Sequence, residues 1–287
     1  MKQLNLFIEL TRLRRPIGFM LLFWPCAWGL TLAYDFTLNN NKYFFYLILF
    51  FLGSVLMRSA GCIINDITDK EYDKKVERTK NRPIASGSVS VKLGIIYSII
   101  LCIFAFIVLI NFNLLTILLA LGSMPLAFSY PLMKRYTYWP QLFLGITFNY
   151  GLILGWVSIS NNLGIAPIIF YTGAIFWTLG YDTVYGYQDI KDDEIIGVKS
   201  TSIKFKKNPK KFLNLSYMIF ATCFLLTGII MNYNLIFFIF AIIPLGHMFI
   251  YQIKNLDISK PNICLKIFKS NNLFGAIILT NILVGKF

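Results

Sequence analysis

YFFYLILFFLGSVLMRSAGCIINDITDKEYDKKVERTKNR, Tyr43–Arg82, joins two compositions that a soluble domain keeps apart. Its first half is an apolar run of about the 20 residues that cross a bilayer, interrupted by one charge, Arg58. Its second half opens on Asn65 and carries Asp66, Asp69 and Asp73 at spacings of three and four. On a helix that spacing places three carboxylates on one face. Lys74, Lys75, Arg78 and Arg82 follow within a few turns. Carboxylates massed where a hydrophobic span ends call for cations, and the basic tail adds groups that hold phosphate.

A second acidic cluster, Asp182, Asp189, Asp192, Asp193 and Glu194, lies at the end of another apolar run. Asp182 and Asp189 are seven apart, and Asp189 and Asp193 form an i, i+4 pair, so each pair shares a helical face. Outside these two clusters only Glu9, Asp35 and Asp257 remain of the 13 Asp and Glu residues, so nearly all negative charge sits at two points. If the two spans are neighbours, the carboxylates converge on one pocket. Their parallel placement hints at an internal duplication of a four-helix unit within a single domain, 1–287.

The 287 residues are 57% hydrophobic and 14% charged, against about 25% charged in soluble domains, and mean hydropathy is +0.65. The class is an all-α integral membrane protein. Runs near spanning length fall at about 16–34, 43–65, 91–110, 113–130, 139–158, 165–187, 212–231, 233–252 and 267–285, about nine helices, with weak ends that leave eight open. The formal charge of +14 is not a nucleic-acid footprint, because the basic residues alternate between loops. Arg12, Arg14 and Arg15 precede the first run; the even-numbered loops hold the other clusters, while the odd-numbered loops hold only Lys42. By the positive-inside rule the N-terminus and both acidic clusters are cytoplasmic and the C-terminus is outside. The five cysteines show no CxxC spacing, and one histidine, His247, excludes a histidine-based triad or zinc site. Residues 1–15 read as an amphipathic segment in the membrane interface.

Arg58 lies seven residues before Asn65, two turns deeper on the same face. An arginine in the bilayer costs at least about 2.5–3.5 kcal/mol by insertion scales, so it either snorkels or pairs with a buried aspartate as a structural bridge, or it contacts an anionic substrate. After the fourth run come Tyr130 and Lys134; in the fifth, Asn149 and Tyr150 either line a cavity or bond between helices. Magnesium takes oxygen ligands, commonly one or two carboxylates with substrate phosphates. Two facing acidic clusters therefore suit an Mg²⁺-bridged diphosphate, with Arg78, Lys134 and Lys199 neutralising the remaining charge. A diphosphate site opening into lipid points to a polyprenyl diphosphate, whose departure leaves an allylic cation.

NDITDKEYD resembles the NDxxDxxxD signature of the UbiA-type intramembrane prenyltransferases, and DIKDD their second DxxxD motif. RLRRPIGFMLLFWP, MRSAGCIINDITDKEYDKKVERTKNRPIASG, SYPLMKRYTYWPQLFLG and YDTVYGYQDIKDDEIIGVKST resemble most closely the bacterial 4-hydroxybenzoate polyprenyltransferases. The resemblance implies a nine-helix bundle around a central cavity with a cytoplasmic polar cap and a lateral opening to lipid, in a bacterial inner membrane. It implies that Asn65, Asp66, Asp69 and Asp73 form the first Mg²⁺-diphosphate motif and Asp189 and Asp193 the second. Asp182 stands in the same wall, Arg78 and Lys134 contact diphosphate, and Arg58 lies near the aromatic acceptor. The implied reaction is prenylation of 4-hydroxybenzoate ortho to its hydroxyl, in ubiquinone biosynthesis. Other acceptors, homogentisate or a naphthoate, are the nearest alternatives. A cation transporter explains the carboxylates but not the adjoining phosphate-type cations, and it calls for acidic residues at mid-span.

Overall fold

In a computed structural model of the protein, the structure is described for residues 2–37 and 40–287; among these the regular structure is helical and no strand occurs. Helix α1 (Lys2–Leu10) precedes α2 (Ile17–Ala33) and α3 (Asn41–Thr68), which runs into the short α4 (Lys70–Asp73). Then come α5 (Val91–Leu109), α6 (Leu114–Gly122), α7 (Met124–Ser129), a 3₁₀ turn at Tyr130–Leu132 and α8 (Met133–Tyr136). Helices α9 (Pro140–Ser160) and α10 (Ile165–Gly186) lead to the short α11 (Ile190–Ile196) and α12 (Thr201–Lys204). The chain finishes with α13 (Pro209–Ile230), α14 (Leu235–Gly246), a π-helical segment His247–Ile253, and α15 (Pro261–Lys286).

Among the described residues seven segments are long and apolar enough to cross a membrane: α3, α5, Leu114–Tyr136, α9, α13, Leu235–Ile253 and α15. Helix α2 is apolar but has 17 residues. Helix α10 is outside the seven, and its surroundings explain its composition. It packs against α9, α13 and α15, so Thr178, Thr183 and Tyr181 on it meet protein rather than lipid. Two runs continuous in sequence are interrupted in structure by proline, which has no N–H to donate. The fourth is divided around Ser123, ahead of Pro125, and the eighth changes to π geometry after Pro244. Helix α2, by contrast, continues through Pro25.

Small residues set the closest helix contacts, as they do where lipid-soluble helices must approach through dispersion. A Cβ on Gly29 of α2 would lie 1.9 Å from the Leu152 carbonyl oxygen of α9, and one on Gly155 of α9 would lie 2.3 Å from the Cys26 carbonyl oxygen. These two helices thus touch backbone to backbone. On α5 the buried residues Gly94, Ser98, Leu101 and Ala105 recur at helical spacing, while Ile95, Ile99, Ile103 and Ile107 are exposed on its outer side. The N-terminal segment is partly built into the bundle: Leu10 is fully buried with Ala60, Ile63 and Ile84, and Phe7 packs edge-on against Tyr97, while Leu4 is exposed. Phe7 and Leu10 of α1 thus cover α3 and α5. At the other end of the bundle, Lys286 Nζ donates to the Tyr34 carbonyl at 2.6 Å, tying α15 to the end of α2.

Candidate active site

A cavity of about 350 Å³ lies where α3, α4, α8, α10 and α11 end. Helical spacing supplies its first wall: Arg58, Cys62, Asn65 and Asp69 are four, three and four residues apart and all line it. Asp73, Arg78 and Arg82 add to that wall from α4 and the loop beyond. The facing wall comes from Asp182 and Tyr185 of α10, then Asp189 and Asp193 at and within the first turn of α11. Tyr130 and Lys134 close a third side, and Lys199 reaches the rim, where its Nζ donates to the Tyr136 carbonyl at 3.2 Å. Thus the two acidic clusters, about 120 residues apart in sequence by their positions, meet in one cavity.

Most of these carboxylates hold basic partners. Lys134 Nζ donates to Asp69 Oδ2, and Arg78 grips Asp189 with both Nε, at 2.7 Å, and Nη2. Arg82 Nη1 donates to Asp73 at 2.8 Å and to Asp66 at 3.2 Å. Asp193 has no ion pair among the described residues; burial and then the neighbouring Asp189 charge push its carboxyl up to about 6. Asp69 keeps one buried oxygen, Oδ1, without a hydrogen-bond partner.

Asp66 is placed differently from the expectation that it faces the metal. It does not line the cavity. Arg12 Nη2 donates to it at 2.6 Å from the loop after α1, and Arg82 reaches it from the other side. Within one helix, Asp66 follows Asn65 by about 100° of rotation, which turns it from the cavity toward these arginines. Arg12 was legible only as a topology charge before the first span; its pairing across the fold had no local signal.

Arg58 forms no ion pair among the described residues, so the buried-bridge reading of it fails. Its Nε is buried without a partner, and its guanidinium lies 5.5 Å from the Phe148 ring centre. Space for it comes from Gly18 of α2, where a Cβ would lie 2.8 Å from Arg58 Nε. Asn149 turns to the helix interface, donating to Thr178 Oγ1 at 2.7 Å. Tyr150 lines a second cavity rather than the first.

That second cavity, about 400 Å³, is bounded by apolar residues of α3, α5, α6, α7 and α9, among them Leu49, Met57, Phe106, Phe112 and Leu154. Arg58, Tyr130 and Phe148 line both cavities. Helices α5 to α7 carry no chemical motif in sequence, and their contribution to an apolar chamber beside the charged one emerges only on folding.

The donor set of the first cavity fits a hard cation: carboxylates with an asparagine amide, and no histidine. Among the described residues no three His, Cys, Asp or Glu side chains are grouped to hold a metal ion alone. Mg²⁺ is commonly held by one or two carboxylates and completes its shell with water and substrate phosphate oxygens.

Comparison with known proteins follows the same lines. Residues 22–278 match the UbiA prenyltransferase family. The chain is 41% identical to 4-hydroxybenzoate geranyltransferase 2 of Lithospermum erythrorhizon, over 99% of this chain and 92% of that protein. It is 39% identical to the human mitochondrial 4-hydroxybenzoate polyprenyltransferase, over 99% of this chain and 76% of that one. In fold it is similar to a UbiA homolog from Archaeoglobus fulgidus bound to GPP and Mg²⁺, with TM-score 0.70 and 18% identity, covering 97% of this chain and 100% of that chain. A UbiA homolog from Aeropyrum pernix K1 gives TM-score 0.69 at 23% identity, covering 92% and 97%. An all-helical membrane chain with two acidic motifs, matched nearly end to end at this level of identity, is an integral membrane enzyme of the UbiA prenyltransferase family.

Proposed function

We propose that the protein transfers a polyprenyl group from a polyprenyl diphosphate to the carbon ortho to the hydroxyl of 4-hydroxybenzoate, with Mg²⁺, in ubiquinone biosynthesis. One observation carries this reading: a charged cavity holding both acidic motifs adjoins an apolar cavity, and Arg58, Tyr130 and Phe148 belong to both. A diphosphate headgroup suits the first and a prenyl chain the second, with the bond between them at their junction.

In this reading Asn65, Asp69, Asp73, Asp189 and Asp193 hold Mg²⁺, which neutralises the diphosphate and makes it a better leaving group. Asp66, bonded to Arg12 and Arg82, holds the first motif in place. Lys134, Arg78, Arg82 and Lys199 bind phosphate oxygens, the first three exchanging their carboxylate partners for substrate. The Tyr130 and Phe148 rings, 6.4 Å apart and edge to face, present π density where the allylic cation develops. Tyr150 contacts the prenyl chain in the apolar cavity, and Arg58 binds the acceptor carboxylate.

Topology belongs to the same proposal. Nine segments cross the membrane, a bacterial inner membrane, with the acidic cavity cytoplasmic and the C-terminus outside; the basic-residue alternation supports this orientation.

Purified protein incubated with Mg²⁺, labelled polyprenyl diphosphate and a panel of phenolic acids tests the proposal. Prenylated 4-hydroxybenzoate, lost with EDTA and restored by Mg²⁺, is the expected result. Product with homogentisate or a naphthoate alone overturns the acceptor; no Mg²⁺-dependent product overturns the reaction.

A further inference from the structure

Asp182 stands apart from the other cavity carboxylates. Asp69, Asp73 and Asp189 each hold a basic side chain, and Asp193 lies one turn beyond Asp189 on α11. Asp182 lies on α10, about one turn before that helix ends at Gly186 and ahead of Asp189 at the start of α11, and forms no ion pair among the described residues. Arg58 lies about 10 Å along α3 from Asn65, at 1.5 Å per residue. Both residues therefore sit below the metal motifs, on facing walls of one cavity. Each is a single unpaired charge of opposite sign at that depth, and no salt bridge joins them.

We propose that Asp182 is the general base that accepts the phenol proton of the aromatic acceptor, with Arg58 holding the carboxylate at the opposite end of the ring. The proposal rests on the reaction proposed above. A para-hydroxy acid requires a cation at one end and a proton acceptor at the other, and this pair supplies both. The neighbouring Tyr130, Tyr181 and Tyr185 hydroxyls also line the cavity, but neutral phenols are poor proton acceptors, so they do not compete for the role.

The step balances as follows. The phenol proton passes to Asp182, leaving a phenolate whose ortho carbon is electron-rich. The allylic carbon–oxygen bond breaks with its electron pair on the diphosphate, and the ortho carbon forms the new carbon–carbon bond. The proton on that ring carbon leaves to the diphosphate as aromaticity returns, and Asp182 gives its proton back to the product phenolate. No oxidant or reductant enters.

Asp182→Asn and Asp182→Glu test the assignment in the full chain in detergent. Asn is expected to lower transfer to 4-hydroxybenzoate by about 10²–10⁴-fold, the usual range for removing a general base. Mg²⁺-dependent binding of a non-hydrolysable geranyl thiolodiphosphate should remain, and Glu should recover most of the transfer. With 3-fluoro-4-hydroxybenzoate, whose phenol is more acidic so that a larger fraction enters as phenolate, the Asn variant should recover at least about tenfold relative to the wild-type response. A merely structural role predicts equal loss with both acceptors. Equal loss, transfer by the Asn variant at the wild-type rate, or Asn and Glu equally impaired would each overturn the base assignment. If the wild-type protein itself prenylates no phenol, the failure lies in the proposed reaction; if only Asp182→Asn behaves unexpectedly, it lies in the base.

Discussion

Asp66 and Asp69 belong to one motif, three residues apart, yet their side chains meet different chemistry. Asp69 lines the cavity with one oxygen unpartnered, whereas Asp66 is enclosed by Arg12 and Arg82. Replacing Asp69 or Asp189 by Asn removes charge where metal and diphosphate sit. Turnover should fall at least about 10²-fold, the scale of losing one preorganised electrostatic group, with the protein still folded in detergent. Product formation and thermal unfolding on the same preparation check this, and retained activity contradicts the metal-site assignment. Asp66→Asn should act chiefly on stability, because it leaves Arg12 without its carboxylate partner while Arg82 keeps Asp73. Breaking a fully buried pair costs about 3–5 kcal/mol. The cost here is smaller, since Arg12 and Arg82 are 19% and 21% exposed. Its Tm loss should exceed that of Asp69→Asn; the reverse order would place Asp66 with the metal ligands.

Between elements, the distance of approach decides what a substitution does. At Gly155 an added side chain meets α2 backbone, which has no rotamer to yield, so Gly155→Val should separate α2 from α9. The destabilisation should reach or exceed the roughly 1–3 kcal/mol of core overpacking, seen as lost monodispersity and lowered Tm. Gly61 on α3 is the contrasting case. A Cβ there meets nothing within 4 Å, and the residue lines the apolar cavity. Gly61→Leu should fold and fill part of that cavity. The kcat/KM for long prenyl donors should then fall relative to geranyl diphosphate; an unchanged ratio would mean the chain lies elsewhere.

For the molecule as a whole, the proposed orientation puts the polar cavity on the cytoplasmic side of the membrane. The five free cysteines can be replaced and single probes introduced at exposed Lys191 and Lys42. A membrane-impermeant maleimide should label Lys191→Cys only from the cytoplasmic side and Lys42→Cys only from the opposite side. Labelling of both from one side would overturn the orientation.

Helical class, membrane residence and the grouping of carboxylates at Asn65–Asp73 and Asp182–Asp193 were determined by the sequence itself. Each depends on local quantities: apolar run length, and the angle between residues three or four apart. Periodicity placed Arg58, Asn65 and Asp69 on one wall of the cavity, but α3 ends at Thr68 and α10 at Gly186, so Asp73, Asp189 and Asp193 reach the cavity from the short helices α4 and α11, and Asp66 turns away from it. Only the tertiary structure decided that Arg12 crosses to Asp66, that Tyr150 lines an apolar chamber, that α5 to α7 help build that chamber, and that Arg58 and Asp182 line one cavity without an ion pair. These are consequences of how helices distant in sequence approach, and that approach is governed at contacts such as Gly29 with Leu152 and Gly155 with Cys26. Periodicity fixes which residues share a face of one helix; which face meets which neighbour follows from packing across the whole bundle.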